Sequence, residues 1–507
     1  MLDDAVSRGE TIYGVTTRFG GMADDVLPAA DAARLQRRAL WLHATACGDP
    51  IPDADVRATM LARLASHVRG VSAVSPALMH RLVDVLNHKF VPVVREFGSI
   101  GASGDLVPLS YIAGAITGQD TNHDVRLDGV TMSAHAALAQ LGLPPLELAP
   151  KDALAMINGT SASGGIAVGC VYDARRLLAL TFGVHALAIQ ALGASDEPFH
   201  PAIHAAKPHP GQRCAASIMA TLLHGSRMCR TGSADGPLGI TRELIQERYS
   251  VRCLPQFLGP TVDALSIAAR QVEVELNSAT DNPLVDVDLG AILQGGNFLG
   301  QYLAIAMDGV RLHLSLAGQH LDAQLALLMS PAFSHGLPAS LAGNDADPLN
   351  MGLKGLQITA NSLVPVLASM ASPVVDRFPT HAEQFNQNIN SQSWNAGRLT
   401  SRALRIWEQY LGVALVITVQ AVDLRARLLA DDCDASGMLS PGTRALYDAV
   451  RALVGRPPSC QRALVHDDDE QRLDRWLDAL NADIAHGGRI HGAMHDACAS
   501  LVGHHPM

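Results

Sequence analysis

Apolar residues recur at three- and four-residue spacing along most of the chain. In LQRRALWLHATACG and ADVRATMLARLASHVRG this spacing predicts two helices that end at glycine, and Pro76 suits the start of a third. From about Val262 the periodic segments lengthen: VDALSIAARQVEVELNSATDNP, NFLGQYLAIAMDGVRLHLSLAGQHLDAQLALLM and NAGRLTSRALRIWEQYLGVALVITVQAVDLRARLLA. Such lengths exceed the average globular helix of about 11–12 residues. Leu303, Met307, Val310, Leu314, Leu321 and Leu325 hold one face, which predicts a mainly α protein built on a bundle of long, roughly parallel or antiparallel helices. Turn signals in GQDTNHDVRLDG predict a small hairpin. LPPLELAPKD suggests a boundary near residue 150, separating an N-terminal region (1–150) from a mainly helical region with the long bundle (151–507).

Composition narrows the class. Hydrophobic residues make up 48% and charged residues 17% of 507, an ordered globular balance. Aromatics at 4% with abundant Ala and Leu favour helix over strand. The formal charge of −11, with no basic run longer than RR, argues against nucleic acid as a partner. The opening MLDDAVSRGE is acidic and unlike a secretory signal, and the longest apolar run, near Leu411–Val419, is about half the ~20 residues that span a bilayer. A soluble cytoplasmic protein without membrane partners is expected. Eight scattered cysteines without a C-x-x-C pair predict reduced, mostly buried thiols.

One stretch departs from this helical economy. GSIGASGD, Gly98–Asp105, holds three glycines in eight residues. Their G-x-x-G-x-x-G spacing is not the dinucleotide fingerprint, and no Lys-Ser/Thr follows to make a phosphate loop. Two readings remain. One is a tight turn between helices. The other is chemical: the amide nitrogen of Gly104 closes on the carbonyl carbon of Ala102, and loss of water from the ring and from Ser103 leaves an exocyclic methylidene. That group is an electron-poor alkene made only from protein. Ala is small, Ser supplies the methylidene carbon, and Gly permits the bent backbone.

The longer segment GSIGASGDLVPLSYIAG resembles the signature of the aromatic amino acid ammonia-lyases, the histidine, tyrosine and phenylalanine lyase family. IYGVTT, MINGTS, FHPAIHAAKPHPGQ, QERYSVRCLPQFLGP, SATDNPLVDVD, GGNFLGQY, NMGLKGLQI and HAEQFNQNINSQ resemble further family motifs, in family order, over roughly residues 10–490. The chain is most similar to the bacterial, cyanobacterial-type phenylalanine lyases. The resemblance implies a histidase-like fold of the fumarase/aspartase type, a homotetramer whose sites combine residues from several chains, and a 4-methylidene-imidazol-5-one (MIO) group formed autocatalytically from Ala102-Ser103-Gly104 in the N-terminal region. It implies no metal or external cofactor. His200/His204 and His491/His495, at i, i+4 spacing, are the metal alternative; the first pair lies inside the family's FHP-x-IH motif and the second in a polar C-terminal tail.

Carried over residue by residue, the resemblance makes Tyr13 the base that takes the β-proton and Ser103 the source of the methylidene that receives the substrate amine. A Tyr with a pKa near 10 needs its phenolate stabilised to act at neutral pH. Arg252 matches the partner of the substrate carboxylate, a task suited to a guanidinium. Tyr249, expected on the same helical or turn face, matches the tyrosine beside the prosthetic group. Asn158 and Gln246 match polar neighbours of the carboxylate and MIO, Phe298 an aromatic near the ring, and Asp105 a residue that shapes ring closure. Leu106 joins the substrate-binding set.

Selectivity is less familiar. Leu42 and His43 align with the pair that contacts the far end of the substrate, where phenylalanine lyases carry Phe-Leu, tyrosine lyases His-Leu and histidine lyases Ser-His. His43 offers a hydrogen bond to a phenol or imidazole, whereas Gln387 stands where histidine lyases have Glu, and Lys354 and Glu383 match the phenylalanine-lyase pattern. The expected substrate order is phenylalanine, tyrosine, histidine. An aromatic 2,3-aminomutase and a catalytically silent paralogue are the alternatives. Two departures motivate the second: Tyr13 lies almost at the start, so that either the chain begins at a late start codon or part of the N-terminal packing is missing, which would loosen the base-bearing loop, and Arg18 stands where Gly is usual, adding charge to a loop that should close over substrate.

Overall fold

The fold is taken from a computed structural model of the chain, which describes residues 1–230, 246–470, 472–495 and 498–502. Helices dominate. In the first part these are α1 (Ala29–Leu42), α2 (Asp53–His67), α3 (Pro76–Asn87), α4 (Leu106–Thr117) and α5 (Asp152–Ile157), followed by the 32-residue α6 (Ser161–Leu192). Beyond them come α7 (Tyr249–Arg252), α8 (Leu254–Leu276), α9 (Gln301–Leu328), α10 (Lys354–Met370) and the 38-residue α11 (Ser393–Ala430). Among the described residues no helix is long and apolar enough to cross a membrane.

The chain divides into two compact units, neither continuous in sequence. The first comprises Met1–Val171, Ile267–Gly309 and Pro373–Ser401; the second comprises Tyr172–Ser266, Val310–Ser372 and Arg402–Met507. Four of the five divisions fall inside α6, α8, α9 and α11, and the fifth follows the end of α10.

The first unit carries three small antiparallel sheets. β1 (Cys47–Pro50) pairs with β3 (Arg95–Phe97), β2 (Phe90–Pro92) with β4 (Asp124–Leu127), β4 with β5 (Val130–Ser133), and β6 (Leu284–Asp286) with β7 (Ala291–Leu293). β4 and β5 form the hairpin that GQDTNHDVRLDG predicts, register running from Asp124↔Ser133 to Leu127↔Val130. α3 starts at Pro76 as expected, with the Ser75 hydroxyl accepting the Leu78 N–H. α1 ends at Leu42, short of Gly48, because the chain turns there into β1.

In the second unit the middle of α11 is buried on every side: Leu411, Val413, Leu415, Val416, Ile417, Val419, Val422 and Leu424 are all fully or almost fully enclosed. Tyr447 and Arg451 both bond to buried Asp423, and the Leu464 N–H also donates to it. The predicted apolar face of α9 is buried throughout. α8 begins at Leu254, earlier than Val262, and takes Pro260 into its interior. Four of the eight free cysteines are buried; Cys47 and Cys460 are exposed.

Candidate active site

The glycine-rich stretch forms a pinned turn between β3 and the start of α4. On one flank the Ser391 N–H and hydroxyl both donate to the Gly101 carbonyl, at 3.0 and 2.8 Å, and the Gln392 N–H donates to the Ile100 carbonyl at 3.0 Å. On the other, the Asp105 N–H donates to the Gly159 carbonyl at 2.8 Å. Gly104 has φ 66°, and a Cβ there would collide with the Gly159 backbone. Only glycine meets both demands without strain.

Asp105 is fully buried and anchors the turn from below. Its carboxylate accepts the Ser163 N–H (2.7 Å), the Ser163 hydroxyl (2.8 Å) and the Ser99 hydroxyl (3.0 Å). Burial raises its pKa and these donors oppose the rise. Behind Gly159, the buried Arg63 guanidinium donates to the Thr280 carbonyl at 3.0 Å and the Ser161 hydroxyl at 3.3 Å, tying the two backbone segments together. Ser103, half-buried, turns its hydroxyl outward, where it accepts a 2.9 Å hydrogen bond from the Gln387 amide.

A cavity of about 870 Å³ opens over Ser103. Its wall includes Tyr13, Arg18, Leu42, His43, Leu106, Asn158, Glu383 and Gln387, so eight of the residues singled out from the sequence converge with Ser103. Tyr13 is held by an unanticipated clamp. Buried Gln36 of α1 donates to the Gly14 carbonyl at 3.2 Å while its oxygen accepts the N–H groups of Ala153 and Leu154 at 3.0 and 3.4 Å, joining the tyrosine loop to α5. A lone amide inside RLQRRAL was the only sequence signal for it.

The Tyr13 hydroxyl accepts the Gly20 N–H at 3.1 Å. Burial raises its pKa, the Gly20 donor pulls it down, and the nearby Glu383 carboxylate adds to the rise. The net direction is upward. Asn158 is fixed by the fully buried Lys151–Asp281 ion pair of 2.6 Å: its amide nitrogen is directed at the Asn282 carbonyl (2.9 Å) and Asp281 (3.4 Å). Its oxygen, an acceptor, is what remains for a bound molecule.

At the far end, His43 sets its Nδ1 2.6 Å from the Ala39 carbonyl. A carbonyl only accepts, so Nδ1 carries the proton and Nε2 is left as an acceptor. Burial lowers the pKa of His43 against the opposing influences of Ala39 and Glu383, which keeps the ring neutral at neutral pH. Arg18 has ordinary negative φ, pairs with Asp25 at 3.4 Å and donates to the Met22 sulfur, so glycine-like freedom is not needed at that position.

The remaining sequence candidates do not line this cavity. Phe298 is half-buried in the first unit, between β7 and α9. Gln246, Tyr249, Arg252 and Lys354 belong to the second unit. There Arg252 lies over the Tyr249 ring at 4.8 Å and donates to Gln246, so the shared face expected of Tyr249 and Arg252 is present. Lys354 opens α10 in an exposed position. Of the histidine pairs, His204 is occupied by the Pro198 carbonyl and Gln212, and His200 caps its helix by accepting the Ala202 N–H.

The pinned Ala-Ser-Gly turn and its tyrosine-lined cavity accompany a family match across residues 1–452 to aromatic amino acid lyase. The chain belongs to the aromatic amino acid lyase family. It is 50% identical over 501 residues to a phenylalanine ammonia-lyase of Nostoc punctiforme, covering 99% of this chain and 88% of that protein. An aromatic ammonia-lyase of Loktanella atrilutea is 47% identical over 497 residues, covering 98% and 91%. Among solved structures, the phenylalanine aminomutase of Pantoea agglomerans superposes with a TM-score of 0.85 at 32% identity, covering 95% of this chain and 90% of that one. The lyase fold and carbon–nitrogen lyase chemistry follow for this chain, and the aminomutase remains a close structural cousin.

Proposed function

We propose that this lyase deaminates L-phenylalanine to trans-cinnamate and ammonia through an MIO group formed from Ala102-Ser103-Gly104. The observation that carries the reading is the Gly104–Gly159 contact within a turn tied down on both flanks. It supports ring closure because the backbone is held bent, with glycine where a side chain would be excluded and the Ser103 hydroxyl facing the cavity. Once formed, the MIO would supply the electrophile that takes up the substrate amine and makes it a leaving group.

The chain's own residues do the rest. Tyr13, as phenolate, removes the β-proton; the Gly20 N–H stabilises that anion. Arg252 pairs with the substrate carboxylate and Tyr249 flanks the prosthetic group, while Gln246, Lys354 and Phe298 complete the surroundings. Asn158 offers its oxygen as an acceptor to the substrate ammonium. Leu42, Leu106 and His43 meet the ring, with Gln387 holding Ser103 and Glu383 beside Tyr13. A homotetramer, in which neighbouring copies complete each site, is supported by the exposure of Tyr249 (72%) and by the apolar Tyr302, Ile305, Ile267 and Val274 that α9 and α8 leave uncovered.

A second substrate, L-tyrosine, is favoured by the Nε2 acceptor of His43, which suits a phenol hydroxyl and leaves a phenyl ring without a partner for it. Ultraviolet absorbance of the purified protein with L-Phe, L-Tyr and L-His separately tests both readings through the conjugated acrylate each would yield. Peptide mass across residues 98–105 tests the prosthetic group: loss of two waters is expected, and an unmodified peptide would refute it. A β-amino acid product would identify the aminomutase.

A further inference from the structure

Three polar groups in the second unit form a line that the reaction chemistry has not used. His185 on α6 and Gln324 on α9 are both fully buried, and His185 Nδ1 lies 2.8 Å from Gln324 Oε1. The Gln324 amide nitrogen donates to the backbone carbonyl of Ser250. That carbonyl only accepts, so the amide orientation is forced; Oε1 then faces His185, and Nδ1 must carry the proton. Desolvation pushes the His185 pKa down to about 3, so the ring stays neutral and the tautomer is stable across the working range.

Ser250 lies between Tyr249 and Arg252 on α7, a helix of four residues. A single turn is marginal alone, and its carbonyls need partners outside it. The outer face of α7 presents Arg252 stacked on Tyr249 and bonded to Gln246. Its inner face is held by Gln324.

We propose that Gln324, oriented by His185, is a positioning residue that fixes α7 so that Arg252 receives the substrate carboxylate. This rests on the reading of Arg252 as the carboxylate partner. Neither Gln324 nor His185 touches the reacting atoms.

The test compares two inhibitors of the assembled enzyme: cinnamate, which carries the carboxylate, and cinnamamide, its neutral counterpart. Gln324→Met keeps the length and removes both hydrogen bonds. Cinnamate inhibition should weaken about tenfold, the scale of one charge-assisted contact, and KM for the amino acid should rise in step, while cinnamamide changes by less than about twofold. Equal weakening of both inhibitors, or of neither, would overturn the proposal. If Gln324→Met does not fold, His185→Phe, which removes the Nδ1–H donor, is judged by the same ratio. Wild-type enzyme and Arg252→Leu keep the two readings apart: if Arg252→Leu leaves cinnamate binding intact, the role of Arg252 falls and the strut with it. If it abolishes the preference for cinnamate and Gln324→Met does not, only the strut falls.

Discussion

Gly104 packs against the peptide of Gly159 so closely that a methyl group added to Gly104 would meet the Gly159 backbone, and Gly159 in turn has no room for one because Arg63 and the Thr280 carbonyl pack against it. Two glycines 55 positions apart in sequence therefore define one contact, and the Ala-Ser-Gly turn is built on it.

Gly104→Ala should accordingly cost stability and chemistry together. The left-handed conformation at φ 66° alone costs about 1–2 kcal/mol for a non-glycine residue, and the overlap adds to it. Urea unfolding should show a loss above about 2 kcal/mol, and the peptide spanning residues 98–105 should retain both waters.

Ser103→Ala separates the two effects. Before ring closure the Ser103 hydroxyl makes one half-exposed hydrogen bond, with Gln387, worth about 0.5–1.5 kcal/mol, and ring closure itself consumes that hydroxyl, so the melting temperature should move little. Deamination should fall about a thousandfold or more, roughly 4 kcal/mol of barrier, because no methylidene carbon remains.

The pH profile should report Tyr13. Its raised pKa means the phenolate is the minor form at neutral pH, so kcat/KM should climb with pH well into the alkaline range and fall as protons return to the phenol. Glu383 contributes to that rise through its negative charge. Glu383→Gln should move the rising limb to lower pH, whatever it does to the maximum rate. A limb that stays in place would show that Tyr13 is not the titrating group.

His43→Leu tests the far end of the cavity. Removing the Nε2 acceptor should raise L-Phe turnover relative to L-Tyr by about tenfold, the cost of one unpaired buried polar group. An unchanged ratio of kcat/KM values would show that His43 does not read the ring substituent.

Legibility in the sequence followed burial geometry. α9 is readable because an apolar stripe alternates with polar faces along its length, and α11 because its two ends carry that alternation although residues 410–426 are buried on every side. α6 was not singled out: Leu177, Phe182, Val184, Leu187 and Ile189 are enclosed around its whole circumference, so no polar face marks the 3.6-residue period. Gln36, Arg63 and Gln324 likewise looked like ordinary helix residues, since a buried clamp and a solvated polar side chain read the same in one dimension.

The order of motifs and the Ala-Ser-Gly triplet determined the family and the chemistry available to it, because that chemistry depends on residue types in covalent sequence. Tertiary structure decided which candidates meet. It placed Tyr13, His43, Asn158 and Gln387 around Ser103, assigned Tyr249 and Arg252 to the other unit, and fixed the tautomer of His43 through the Ala39 carbonyl. Proton positions and pKa shifts arise from desolvation and from partners distant in the chain, and only folding brings those together.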